Sequence, residues 1–180
     1  MNHREAQLAL TSGAEELDLV FNYPNLQAEN YATIYTELAT LRSLAASPIT
    51  LKLILETSQL NSSQIIAGCV LAAAANFDFV KTSTGFNGEG ATVENVRLMA
   101  ACCDKLHVAG AGGRKMLVKA SGGIRTLSDA LGMLEAGAAR LGTSAGVWIA
   151  KEAKEVKSRG AGVDAGLERP GLSTRLFTDY

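Results

Sequence analysis

Five short apolar runs, each followed by a stretch of helical periodicity, leave this 180-residue chain few folds to choose from. The runs are Glu16 to Tyr23, Thr50 to Thr57, Phe77 to Thr84, Lys115 to Ser121 and Arg140 to Ser144. Helical spacing fills the intervals near Ala28 to Ala46, Ser62 to Ala75, Thr92 to Leu106 and Leu127 to Ala136, with a last helix near Ala145 to Lys157. Strands separated by helices pair in parallel, because a parallel neighbour is reached by a crossover and not by a hairpin. The expected class is α/β.

Ionisable residues inside the strands choose between an open doubly wound sheet and a closed barrel. Asp18, Lys52, Lys81 and Lys119 each fall within a run, flanked by leucines or valines. An open sheet covered on both faces would bury each charge in an apolar layer, at a cost on the order of several kcal/mol. A barrel alternates its strand side chains inward and outward, so one charge per strand can converge near the C-terminal mouth. A TIM-type (β/α) barrel is therefore expected. A complete one takes ~250 residues, so five of the eight parallel strands make it incomplete, and Arg4 to Ser12 reads as the second half of a helix that begins earlier. Residues 1–157 are expected to form the partial barrel. Residues 158–180 are expected to form a flexible tail, since the composition turns to Lys, Glu, Arg and Gly after Lys151 and Gly160 to Gly166 follows no period.

Composition narrows the function. Hydrophobic residues at 47%, charged residues at 19% and a mean hydropathy of +0.11 exclude a disordered chain. A net charge of -1 supplies no positive field for nucleic acid or an anionic membrane. The apolar stretch Val70 to Phe79, broken by Asn76 and Asp78, falls far short of the ~20 residues that span a bilayer. The opening residues lack the apolar centre of a secretory signal and three cysteines cannot close a disulfide framework, so a reducing, cytoplasmic setting is expected. Cys69, Cys102 and Cys103 have no metal-ligand spacing and are expected to pack. Trp148 is likewise expected to pack, His3 and His107 are too separate for a metal pair or a triad, and the glycines of Ala109 to Lys115 read as a helix-to-strand turn.

Two strand ends carry the chemistry. Phe79-Val80-Lys81-Thr82-Ser83-Thr84-Gly85 and Val118-Lys119-Ala120-Ser121-Gly122-Gly123-Ile124-Arg125 each place a lysine before hydroxyl and glycine residues. Two ammonium groups within ~6 Å in a partly dry site repel, which together with desolvation lowers the pKa of one of them. The effect matters because an amine with a pKa of ~10.4 is neutral only about once in 2,500 molecules at pH 7. A pKa of about 7 to 8 raises that fraction by two to three orders of magnitude, and the neutral amine can attack a carbonyl carbon to form a Schiff base. Asp18 could then move protons through a water, its alternative role being a buried partner for Lys52 or Lys119. Gly122-Gly123 and Gly142-Thr143-Ser144 follow the last two strands, where exposed backbone N–H groups and a helix N-terminus favour an anion such as phosphate.

These stretches, with Glu16 to Phe21, Leu51 to Thr57 and Arg140 to Ser144, resemble the deoxyribose-phosphate aldolases in order and spacing over about residues 4 to 157. The resemblance implies a class I aldolase that cleaves 2-deoxy-D-ribose 5-phosphate to D-glyceraldehyde 3-phosphate and acetaldehyde, without metal or other cofactor. By motif, Lys81 resembles the Schiff-base lysine, Lys119 the residue that depresses its pKa, and Asp18 the acid that works with a bound water. Gly85, Gly122, Gly123, Gly142, Thr143 and Ser144 match the phosphate loops, with Arg125 and Thr84 adjacent. Lys52 matches a strand lysine of structural or electrostatic part, Phe86 stands where some relatives carry a lysine, and Tyr180 is compared with a terminal tyrosine that assists proton transfer. The family's first three strands have no counterpart, which leaves two unpaired edges and an uncovered interior. Weak stability or association with another chain, a homo-oligomer included, is expected. The alternatives are a different Schiff-base phosphate-binding barrel, or an impaired fragment that binds a phosphorylated sugar or a partner subunit.

Overall fold

A computed structural model describes residues 3–20, 22–110 and 114–160. In chain order they form α1 (His3–Thr11), β1 (Glu16–Val20), α2 (Tyr23–Gln27), α3 (Tyr31–Leu44), β2 (Thr50–Ile54), a 3-10 turn (Thr57–Gln59), α4 (Ser62–Ala74), β3 (Phe79–Lys81), α5 (Val93–Val108), β4 (Leu117–Ser121), α6 (Leu127–Glu135), β5 (Arg140–Gly142) and α7 (Gly146–Gly160). The five strands make one parallel sheet in the order β1-β2-β3-β4-β5. A doubly wound sheet reverses its strand order at a switch point, whereas winding in one direction is the topology of a barrel. The fold is α/β, a partial (β/α) barrel.

Alternation inside each strand builds the two layers. Leu17, Leu19, Leu51, Leu53, Val80, Val118 and Ala120 are buried on one face. They join Ile34, Leu38 and Leu41 of α3, Ile65 and Ala72 of α4, and Val96 and Met99 of α5 in a single core. Each large side chain taken out of water there contributes about 1.5–3 kcal/mol of transfer free energy. The opposite face carries Glu16, Asp18, Lys52, Lys81, Lys119 and Arg140. It is incompletely covered, leaving Val20 49% and Leu117 37% exposed. The sheet curves enough for the Arg140 guanidinium on β5 to reach Glu16 on β1 at 2.7 Å.

Local chemistry explains where the elements differ from the sequence expectations. The first strand ends at Val20 rather than Tyr23, because Asn22 caps α2 by accepting from Asn25 N and Pro24 occupies the first turn. The second ends at Ile54 rather than Thr57, because Glu56 adopts a left-handed conformation (φ 58°) that stops the ladder. The third shortens to Phe79–Lys81, and the fourth and fifth run Leu117–Ser121 and Arg140–Gly142. Capping boxes start α4 (Asn61 with Gln64) and α6 (Thr126 with Asp129). Helix α7 continues to Gly160, three residues into the expected tail. The rest of that tail, Tyr180 included, lies outside the described residues, as do residues 111–113 of the expected glycine turn.

Trp148 does not pack as expected. It is 70% exposed with the Lys151 ammonium 4.8 Å above its ring, while Ile149 takes the buried position in the first turn of α7. Cys69 and Cys103 are buried and Cys102 is half-buried, on facing helices α4 and α5. Among the described residues no helix is long and apolar enough to cross a membrane, and no cluster of His, Cys, Asp and Glu could hold a metal ion.

Candidate active site

Strand register brings the charged side chains together. Asp18 pairs with Lys52 across β1 and β2, and Lys81 with Lys119 across β3 and β4. Neighbouring parallel strands lie about 4.8 Å apart and paired residues share a face, so this register alone forces the two lysine stems side by side. Their ammonium groups converge on one oxygen, Asp18 Oδ2, at 2.7 Å from Lys81 and 2.9 Å from Lys119. Those two distances cap the separation of the amines at 5.6 Å, inside the range expected from the sequence. Lys52 donates to the other oxygen, Asp18 Oδ1, at 3.0 Å and also pairs with Glu16, which Arg140 holds from the far edge. Asp18 thus partners all three lysines rather than Lys52 or Lys119 alone.

The electrostatics follow from this crowding. Burial alone would raise the Asp18 carboxyl, but the hydrogen bonds from Lys119, Lys81 and Lys52 outweigh it and hold the group well below the usual carboxylate range. Burial lowers the Lys119 ammonium from its ordinary value, the charges of Lys81 and Lys52 add to the lowering, and Asp18 opposes it. The residues alone leave open which amine of the pair shifts, and the resemblance gives Lys119 the part of acting on its neighbour; in the structure Lys119 is itself lowered.

The loops after β3, β4 and β5 meet above the lysines. Thr82 Oγ1 donates to Ser121 O and accepts from Ser121 N, and Ala91 N donates to the carbonyls of Ser121 and Gly122. Thr143 Oγ1 donates to Ile124 O at 2.6 Å, which ties the last loop to the one before it. Gly122 takes a left-handed conformation (φ 87°) and its missing Cβ admits Gly90; a Cβ on Gly90 would collide with the Gly122 backbone. Gly90→Ala is expected to lower stability by about 1–3 kcal/mol, read as a shift of the urea midpoint at constant m-value. An unchanged midpoint would show that the two loops are not in contact.

The remaining expected site residues divide. Gly85, Gly122, Gly123, Gly142, Thr143 and Ser144 share this end of the sheet, with Ser144 exposed just ahead of α7. Arg125 is exposed as well, but its backbone N–H and that of Thr126 donate to Asp129, so the start of α6 is already occupied by its own cap. Thr84 faces inward to the scaffold: its N–H and hydroxyl donate to Glu56 at 3.0 and 2.8 Å. Phe86 is 97% exposed.

Sequence reasoning missed Glu56, whose buried carboxylate fixes the loop that leaves Lys81, although an acid closing the apolar run Leu51 to Leu55 is an unusual signal. It also missed the Glu16–Arg140 pair and Ser121, whose hydroxyl is buried beside Gly142 with no hydrogen-bond partner among the described residues.

Comparison with known proteins finds relatives of this chain. A deoxyribose-phosphate aldolase of Coccidioides immitis (strain RS) is 53% identical over 150 residues, covering 83% of this chain and 54% of that protein. One of Carboxydothermus hydrogenoformans is 45% identical over 148 residues, covering 81% and 61%. The solved Aeropyrum pernix deoxyribose phosphate aldolase, described as having a unique tetrameric structure, superposes with a TM-score of 0.69 at 31% identity over 85% of this chain and 61% of that one. The chain therefore spans roughly half to two thirds of the length of these relatives. The family model of the DeoC/LacD family aldolases matches residues 2–166, and the chain, a five-strand partial barrel, belongs to that family.

Proposed function

We propose that this chain acts as a class I aldolase on 2-deoxy-D-ribose 5-phosphate, with Lys81 as the Schiff-base residue. The observation that carries the reading is the shared oxygen: Asp18 Oδ2 bridges the Lys81 and Lys119 amines within one partly dry cluster. In this reading the unprotonated Lys81 amine adds to C1 of the open-chain sugar, and loss of water gives a protonated imine. Electron withdrawal into that imine breaks the C2–C3 bond while the C3 hydroxyl loses its proton, which releases glyceraldehyde 3-phosphate. The remaining enamine takes a proton at C2, and water then frees acetaldehyde and restores the amine. Asp18 assists the proton movements through a water, and Lys119, less basic than an ordinary lysine, shares Asp18 Oδ2 with Lys81 and serves as a proton donor there.

The substrate phosphate is assigned to the backbone N–H groups of Gly122, Gly123, Gly142, Thr143 and Ser144, with the opening turn of α7 behind them and Gly85, whose own N–H donates to Ser83 Oγ, shaping the facing loop. Thr143 contributes backbone only, because its hydroxyl is committed to Ile124 O and Ala145 N. Lys52, tied to Asp18 and Glu16, holds the carboxylate in place. The open inner face supports a second reading, in which the chain binds the sugar phosphate or a partner subunit without turning it over.

Coupling acetaldehyde release to an alcohol dehydrogenase and NADH separates the two. Equal yields of acetaldehyde and triose phosphate from deoxyribose 5-phosphate are expected. Binding of the sugar phosphate to folded chain with no acetaldehyde formed would favour the second reading and overturn the first.

A further inference from the structure

Away from the lysine cluster, helices α4 and α5 pack against each other, and two cysteines lie at their seam. Cys69, on α4, is fully buried. Cys102, on α5, is half-buried, and the two thiols lie close enough to shift each other's acidity. Cys102 also lines an apolar surface pocket of about 240 Å³, formed by Ile66 and Val70 on α4 and by Ala101, Lys105 and Leu106 on α5. One member of the pair is therefore reached from outside through a cavity large enough for a small molecule, and the other lies buried behind it.

We propose that Cys69 and Cys102 form a peroxide-responsive dithiol, with Cys102 as the sulfur attacked from the pocket and Cys69 as the one that resolves it. The thiolate of Cys102 attacks the nearer oxygen of a hydroperoxide; the O–O bond breaks, the sulfur becomes a sulfenic acid, and the alcohol or water leaves with a proton from solvent. The Cys69 thiol then displaces water from that sulfenic sulfur and closes the disulfide. The two sulfurs lose two electrons in all, and the peroxide gains them. The hydrogen bond from Cys69 brings the Cys102 thiol down to about 7, against the pull of its partial burial, so a substantial fraction is thiolate near neutrality. The same bond, together with burial, pushes the Cys69 thiol up, so Cys69 stays protonated until it resolves the adduct. Cys103, one residue further on, points into the core and burial pushes it up to about 12, which removes it from the chemistry.

The disulfide would close a loop that contains the whole of β3 and Lys81, along with the glycine-rich segment that follows. It would thereby fasten the segment that carries Lys81 to the scaffold on both sides. The inference does not depend on the aldolase reading, because it concerns the outer helical layer and is tested without a sugar substrate.

Peptide mapping under non-reducing conditions, after brief exposure of the folded chain to hydrogen peroxide and alkylation of the remaining thiols, tests the proposal. A cross-linked Cys69–Cys102 peptide is expected, with a mass loss of about 2 Da, Cys103 alkylated only after denaturation, and a melting temperature several degrees above that of the reduced chain. In Cys69→Ser the reaction should stop at a Cys102 sulfenic acid captured by dimedone, and in Cys102→Ser no cross-link should form. The mapping of the unaltered chain stands even where a variant fails to fold. Peroxide that leaves both cysteines as thiols while it oxidises glutathione in the same tube would overturn the proposal, as would a cross-link through Cys103 or a Cys102 sulfinic acid beside an untouched Cys69.

Discussion

Lys81→Met is expected to reduce acetaldehyde release from deoxyribose 5-phosphate by at least about 10³-fold, the usual scale for loss of a covalent nucleophile. Methionine fills nearly the same volume and lacks only the amine, and Asp18 keeps Lys119 and Lys52 as partners, so the fold should persist. Lys119→Met is expected to act differently. It leaves the Lys81 amine in place and removes the neighbour that shares Asp18 Oδ2, so activity should fall but imine formation should survive, with its pH profile displaced. Identical losses of imine in the two variants would mean that the lysines cannot be divided into nucleophile and neighbour.

Asp18→Asn carries the largest expected effect on stability. It preserves shape and removes the one charge shared by three ammonium groups, of which Lys52, Lys81 and Lys119 are only 4%, 12% and 16% exposed. Breaking a buried charge pair typically costs 3–5 kcal/mol, and because the Asp18 side chain is 28% exposed the lower figure of about 3 kcal/mol is expected. The sign of the pH dependence follows from the carboxyl being held below its ordinary range. Its contribution is fully present above the unfolded-state value of about 3.9 and is lost as pH falls toward the lowered folded-state value. Urea unfolding of wild type and Asp18→Asn should therefore show a constant gap between pH 7 and pH 5 that narrows below about pH 4. Removing Lys119 as well should restore part of the loss, since the variants share a partner and cannot be additive. A gap under about 0.5 kcal/mol at pH 7 would mean that solvent, not Asp18, neutralises the lysines.

The cluster was legible in the sequence because strand periodicity is two. A charge flanked by leucines, as at Asp18 and Lys52, belongs to the face opposite the core, and four such charges on successive strands of a barrel can only converge. Strand ends were less legible, since the aromatic run toward Tyr23 looks extended until Asn22 and Pro24 are recognised as a helix start. Glu56 was read as part of a strand because nothing near it in the chain accounts for a buried acid; its partner Thr84 lies 28 residues downstream. The Glu16–Arg140 pair spans 124 residues and depends on sheet curvature, which no local pattern encodes. Which lysine loses basicity was equally out of reach, because it depends on relative burial and on hydrogen bonds that all meet at Asp18. Trp148 shows the converse error, a helical spacing that fits packing while Ile149 fills the core position.

The most direct test of the account is reductive trapping of the unaltered chain with acetaldehyde and borohydride at neutral pH, followed by peptide mapping. The account predicts a single added ethyl group of about 28 Da on Lys81. Label scattered over exposed lysines with none on Lys81, or label confined to Lys119, would contradict it.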